Sequence, residues 1–194
     1  MDAARQKRLN EVARIAVQIE AETQLPAQLL VAQWAVESKW GARPSGNANY
    51  FGIKFNDDRH KKFCLVTTRE VFTPRQLSAW RQSHPGLEAK VTKEHDDGRA
   101  EVMLDDAFAD YDSLEESCRD YAALITQGKP YREAWQQYLT DRSLQNLTLN
   151  IARVYATGIR YAELVSQIAA QSNVKDAIAR ARKYTITPIW PQSC

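Results

Sequence analysis

Two glutamates offer the chemistry in this chain. Glu37 ends the apolar stretch LPAQLLVAQWAVE, immediately before Ser38, Lys39, Trp40 and Gly41. A carboxyl at that place is half in an apolar wall and half at a surface. Desolvation raises its pKa and keeps a proton available at neutral pH, as an acid that protonates a glycosidic oxygen requires. Glu70 stands in the string TTREVF, too far along the chain to share a helix with Glu37. It must come from another wall, and a pair of carboxyls on separate walls is what glycoside hydrolysis uses. On spacing alone, other readings stay open. Glu37 could be a helix-end residue bonded to a backbone amide or an arginine. Glu70 could be a solvated strand residue beside Arg69 and Lys62.

The elements that would position these groups can be read from periodicity. Residues 3–22 form an amphipathic helix with Leu9, Val12, Ile15, Ala16 and Ile19 on one face. Pro26 opens a second helix to Lys39, stopped by Gly41. In it Leu30, Gln33, Trp34 and Glu37 share a stripe, and a carboxylate on such a stripe is costly to bury unless protonated or paired. Residues 42–60 are rich in turn formers and aromatic anchors. KKFCLVTTREVF reads as a strand pair or a bulged strand, Thr73-Pro74 as the start of a short helix through Trp80, 82–98 as a polar loop, and RAEVML as a strand. Helices then return. One starts at Ser113 with a capping box to Glu116 and faces Cys118, Tyr121, Leu124 and Ile125 inward. Another opens at Pro130, and a third at Asp141 or Ser143 runs to about Tyr155. A fourth over 160–171 turns Tyr161, Leu164, Val165 and Ile168 inward, and 175–183 is a basic helix before a Pro-rich end. The layout is α+β: a helical body, 1–54 and 109–183, interrupted by a β-rich lobe at about 55–108, in a single catalytic domain of 194 residues.

Composition narrows the classes. Apolar residues make up 44% and charged residues 26%, ordinary for a globular chain. The net charge of +2, with both signs mixed throughout, argues against a nucleic-acid binder but suits an anionic polymer. No apolar run is long enough to span a bilayer. Cys64, Cys118 and Cys194 form no CxxC pair and are expected to be idle thiols. His60 and His95 lie in acidic polar loops without a second ligand set, so no metal and no cofactor are expected. Asp105, Asp106, Asp110 and Asp112 are reserve candidates for the second carboxylate. Trp34 and Trp40 are expected in the core. Trp80, Trp135 and Trp190 could stack on sugars, with packing the default.

LPAQLLVAQWAVESKWG, NYFGIK, TTREVF, FADYDSLEES and YATGIRYA occur in one order over about residues 24–170. In this the chain resembles glycoside hydrolase family 73, the lysozyme-like endo-β-N-acetylglucosaminidases of the flagellar-rod and autolysin type. The resemblance implies a helical lobe and a small β-lobe flanking a groove for peptidoglycan glycan. It implies cleavage of the β-1,4 bond on the reducing side of N-acetylglucosamine. Glu37 falls on the general acid, Glu70 on the second acidic position, and Tyr155 on the cleft tyrosine of Tyr-Ala-Thr. Asn49, Phe51 and Gly52 fall on the motif that closes the floor of the site, and Tyr161 is counted with them as substrate-binding. The sequence departs where the family continues Tyr-Ala-Thr with Asp-Pro: Gly158-Ile159 stands here. The stretch 73–98 is also longer than the family's β-lobe suggests.

The expected activity is peptidoglycan hydrolysis, with chitin-like oligomers as a further substrate. The rivals are a muramidase or lytic transglycosylase using Glu37 alone, and an inactive wall-binding or assembly module. A monomer is expected. The N-terminus reads as an amphipathic helix and not as a signal peptide, so the chain as it stands is expected to be made in the cytoplasm. It would then act on the wall by phage-like delivery or another export device.

Overall fold

The computed structural model describes residues 2–155 and 159–185. Its residues divide into two compact units, one running up to Gly52 and resuming at Tyr111, the other comprising Ile53–Asp110.

The first unit is helical. It contains α1 (Ala3–Thr23), α2 (Ala27–Glu37), α4 (Leu114–Gln127), a 3₁₀ turn (Lys129–Tyr131), α5 (Arg132–Asp141), α6 (Leu144–Tyr155), α7 (Ile159–Ala170) and α8 (Ser172–Thr185). Helix α2 is the spine. Ala27, Leu29, Leu30, Val31, Ala32, Gln33, Trp34 and Ala35 are all buried, so it is apolar on most of its surface and enclosed by α1, α7 and α8. A single stripe was expected; a helix this short and this apolar is buried on most sides instead. The Glu20 carboxylate accepts from the Ala27 N–H at 3.0 Å and so caps its N-terminus, while also pairing with Arg182 of α8 at 2.7 Å.

Helix starts follow the sequence closely. Ser113 Oγ accepts from Glu116 N at 3.1 Å, although the Glu116 carboxylate reaches back to the Asp112 N–H rather than to Ser113. Ser143 caps α6 through the Asn146 N–H at 3.2 Å. One inward assignment fails. Leu164 is 45% exposed, because α7 buries the row through Ala162, Val165, Ile168 and Ala169. Among the described residues Cys64 and Cys118 are free thiols, and burial pushes the Cys118 thiol far up. Cys194 and Trp190 lie outside the described residues. Trp34 and Trp135 are core, and the Trp80 ring lies on His84 at 4.6 Å.

The second unit is a three-stranded antiparallel sheet of order β1-β3-β2, with β1 (Phe63–Phe72), β2 (Ala89–Glu94) and β3 (Ala100–Ala109), and with helix α3 (Pro74–Ser83). Strand β1 is a single strand, paired with β3 in unbroken register from Phe63–Ala109 to Phe72–Ala100. The bulge lies instead in β2, between Val91 and Lys93. Strand β2 falls within the stretch read as a loop. It is an exposed edge strand with polar residues on both faces, so it carries no apolar alternation to read. Asp97-Gly98, with Gly98 at φ +81°, was the hairpin signal that could have revealed it. Helix α3 begins with a complete capping box between Thr73 and Gln76. Leu77 of α3 packs with Val102 and Leu104 of β3, and Phe72, Trp80, Ala89 and Ala100 border this small core.

Candidate active site

The chain leaves α2 through an unusual turn. Lys39, Trp40 and Gly41 are all left-handed, with φ of 51°, 63° and 74°. Two of the three carry side chains, which disfavour this conformation by ~1–2 kcal/mol each. The turn is held by its neighbours. Buried Ser38 donates its hydroxyl to the Trp34 carbonyl at 2.5 Å and accepts from the Gly41 N–H at 2.8 Å. Arg8 Nε donates to the Trp40 carbonyl at 2.9 Å, and the Arg5 guanidinium sits 3.7 Å from the centre of the Trp40 ring. Backbone strain of this kind collects at functional sites. It ends the helix abruptly and leaves Glu37 on the last turn.

Gly41 has a second reason to be glycine. A Cβ there would lie 2.5 Å from Trp34 Cζ2 and 3.1 Å from Arg8 Cδ. Gly41→Ala is therefore expected to cost on the order of 2–4 kcal/mol, the left-handed penalty plus overpacking. Urea unfolding measures the loss, and a changed near-ultraviolet dichroism would report the displaced Trp34 ring.

Glu37 is half-buried, and burial raises its pKa above the usual carboxylate range. A hydrogen bond from Tyr161 opposes this shift without cancelling it. The Tyr161 hydroxyl donates to Glu37 Oε1 at 2.5 Å and accepts from Gln33 Nε2 at 2.9 Å. Helix α7 carries Tyr161 in its first turn and packs directly on α2, which brings together residues far apart in sequence. Burial and the nearby Glu37 raise the Tyr161 hydroxyl pKa in turn, so it stays a donor at any working pH.

Tyr155, at the end of α6, lies beside it, the two rings stacked at 6.2 Å and 17°. Its hydroxyl donates to the Phe51 carbonyl. The Phe51 N–H in turn donates to Asn49 Oδ1 at 3.3 Å, and the Tyr50 N–H donates to Ser117 Oγ at 3.1 Å. The loop from Asn49 to Gly52 is thus tied down bond by bond. Phe51 is fully buried, its ring lying on Tyr121 at 4.3 Å, and Asn49 is 1% exposed. These two shape the loop from below. Gly52, exposed and at φ +63°, is its outward member.

The helical unit therefore gathers Glu37, Tyr161, Tyr155, Asn49, Phe51 and Gly52. Sequence reading passed over the roles of Gln33 and Tyr121. The signal was present, since an amide four residues before Glu37 on a buried helix must find partners. A separate cleft of about 410 Å³, lined by Gln28, Leu144, Thr148, Ser166, Ala170 and Lys175 among others, contains none of these residues.

Glu70 belongs to the sheet unit. It is half-buried and paired in register with Val102, hence on the sheet face that carries the small core. Arg69 projects from the opposite face and lies 3.8 Å from Glu101, so it does not neutralise Glu70. Among the described residues the Glu70 carboxylate has no hydrogen bond or ion pair. The reserve candidates are engaged: Asp105 accepts from Thr67 at 2.6 Å, and Asp106 pairs with Lys54. Gly158, where the sequence departs from the family string, lies outside the described residues. No group of three or more His, Cys, Asp or Glu suited to a metal occurs among the described residues. Nor is any helix among them long and apolar enough to cross a membrane.

Residues 13–174 match the glucosaminidase family profile, described as mannosyl-glycoprotein endo-β-N-acetylglucosaminidase. Over 163 residues the chain is 31% identical to the peptidoglycan hydrolase FlgJ of Pseudomonas aeruginosa, a match that covers 80% of this chain and 34% of that protein. It thus spans about a third of the length of this relative. Its fold is that of the catalytic domain of the autolysin Auto from Listeria monocytogenes, with a TM-score of 0.60 at 22% identity, covering 91% of this chain and 89% of that one. A crystal structure of an N-acetylmuramoyl-L-alanine amidase from Staphylococcus aureus aligns with a TM-score of 0.64 at 21% identity, over 91% of this chain and 44% of that one. At such identities the likeness is one of fold. The family profile spans most of the sequence, Glu37 and its tyrosines included, and on that ground this chain belongs to the glucosaminidase family of endo-β-N-acetylglucosaminidases and is a glycoside hydrolase.

Proposed function

We propose that the chain hydrolyses peptidoglycan glycan strands at the β-1,4 bond on the reducing side of N-acetylglucosamine, with Glu37 as the general acid. One observation carries this reading. A half-buried carboxyl whose pKa is raised by burial stands at the end of an apolar helix, with a tyrosine hydroxyl donated to one of its oxygens. Such a group keeps its proton to higher pH than an ordinary glutamate and can release it to a poor leaving group. The relatives named for peptidoglycan hydrolysis and autolysis supply the substrate class.

The step balances with one water. The Glu37 proton passes to the glycosidic oxygen as the C1–O bond breaks, and the bonding pair stays on that oxygen. Water adds to C1 and gives its proton to a second carboxylate, which we assign to Glu70. Glu70 then releases that proton to solvent and Glu37 is reprotonated from it, which restores both groups. Glu70 suits the part because it is a half-buried carboxylate with no ion pair among the described residues. Tyr161 holds Glu37, and Tyr155 holds the 49–52 loop through the Phe51 carbonyl. Asn49 and Phe51 serve by rigidity, and Gly52 offers backbone to the sugar. The cell wall is the place of action, with delivery by phage or by export.

Digestion of purified peptidoglycan tests the assignment. New reducing ends identified by mass spectrometry are expected to be N-acetylglucosamine. N-acetylmuramic acid ends would make the chain a muramidase, and 1,6-anhydro ends a lytic transglycosylase. Wall binding without any new ends would leave an inactive module.

A further inference from the structure

A line of side-chain hydrogen bonds crosses the helical unit and ends on Glu37. The Tyr121 hydroxyl donates to Gln33 Oε1. Gln33 Nε2 donates to the Tyr161 hydroxyl, which donates to Glu37 Oε1. Donor arithmetic fixes this polarity. A phenol owns one proton. Tyr161 gives its proton to Glu37 and must accept from the Gln33 NH₂ group, which leaves the Gln33 carbonyl to Tyr121. Gln33 is 1% exposed and Tyr121 fully buried, so water does not compete for these groups. A buried amide deprived of either partner would pay its desolvation cost.

Glu37 Oε1 is therefore an acceptor. Among the described residues nothing bonds Glu37 Oε2. An oxygen that accepts from Tyr161 keeps that bond in both protonation states only if the acid proton sits on the other oxygen. We propose that Gln33, held by Tyr121, is a positioning residue that aims the Tyr161 hydroxyl at Glu37 Oε1 and so makes Oε2 the oxygen that carries and delivers the proton. This rests on Glu37 being the general acid. As the Oε2–H bond breaks, its proton goes to the glycosidic oxygen, which also keeps the electron pair of the severed C1–O bond. The charge left on the carboxylate meets a hydroxyl already pointing at it. No dipole has to turn at the moment of reaction, which is how a preorganised site lowers a barrier.

The titratable groups facing Glu37 are Tyr161 on α7, Tyr155 on α6 and Tyr121 on α4, with Tyr131 of the 3₁₀ turn next to these tyrosines. No cation is among the causes acting on Glu37; burial raises it and the Tyr161 bond lowers it. Its titration consequently reports its burial and that bond, and a variant that leaves the burial in place reads the bond.

The test is carbon-13 NMR titration of the glutamate carboxyls in the whole chain, with pH–rate profiles on peptidoglycan. The variants are Tyr161→Phe, Gln33→Met and Tyr121→Phe. In Tyr161→Phe the Glu37 midpoint is expected to rise by about 0.5–1 pH unit, the worth of one hydrogen bond. Gln33→Met and Tyr121→Phe should shift it the same way by less, and the alkaline limb of activity should follow. We expect kcat to fall about three- to tenfold while KM stays within about twofold. Tyr121→Phe keeps its ring on Phe51 and touches no atom of Glu37, so a merely structural role would leave the midpoint alone. Unmoved midpoints in folded Gln33→Met and Tyr121→Phe would overturn the proposal even if peptidoglycan is cleaved normally. Shifted midpoints in a chain that cleaves no glycan would instead remove the general-acid reading beneath it, and with it the delivery role of Oε2.

Discussion

Glu37→Gln should lower peptidoglycan hydrolysis by about 10²–10⁴-fold, the usual worth of a positioned acid. Glutamine keeps the length of the side chain and can still accept from Tyr161 through its carbonyl, so the loss isolates the proton. The same variant should be more stable than the parent in alkaline solution. Burial raises the folded-state pKa of Glu37, so the native chain holds this proton more tightly than the unfolded chain does. Stability from that preference is fully present below the ordinary glutamate pKa and drains away as pH rises through the raised one. Glutamine never ionises and escapes the loss. Melting curves at pH 8 should favour Glu37→Gln, and the gap should close near pH 4. Wild-type turnover in this variant would show that Glu37 is not the acid, and equal melting temperatures at both pH values would show that it is not effectively desolvated.

Glu70→Gln is expected to cost about 10²-fold in kcat with little change in KM, because the lost group would act on the attacking water and not on substrate binding. Added azide should restore turnover in Glu70→Ala and leave a glycosyl azide, since a small anion needs no base to attack C1. If Glu70→Gln retains most of the parent rate, water attack is not assisted there. The N-acetyl oxygen of the substrate would then be the nucleophile, in the substrate-assisted manner known for some glycosidases. The two outcomes separate cleanly because the neighbouring charge is accounted for: Arg69 leaves by the other face of β1.

Much of this was legible from local rules. The stop after α2, the caps at Thr73 and Ser113, and the extended character of 63–72 follow from residue types that allow few alternatives, whereas only the structure decided that 63–72 is one unbroken strand and that Ser143 rather than Asp141 caps α6. Strand β2 was not legible, because an exposed edge strand buries nothing and therefore leaves no apolar pattern. Leu164 was misplaced for the opposite reason. Helical spacing allows adjacent rows to face inward, and only the neighbours of α7 decide which row is buried.

The order of motifs, the α+β class and the placing of one carboxyl at the end of an apolar helix were set by the sequence alone, since each depends on spacing within a few turns of chain. Tertiary structure decided what that carboxyl meets. Gln33 lies within one helical turn of Glu37, but Tyr121 and Tyr161 reach it from helices distant in sequence. Periodicity can say that such tyrosines point inward. Only the packing of α4 and α7 around α2 determines which buried acceptor each hydroxyl must satisfy, because a hydrogen bond requires atoms within about 3 Å and local spacing carries no such distance across helices.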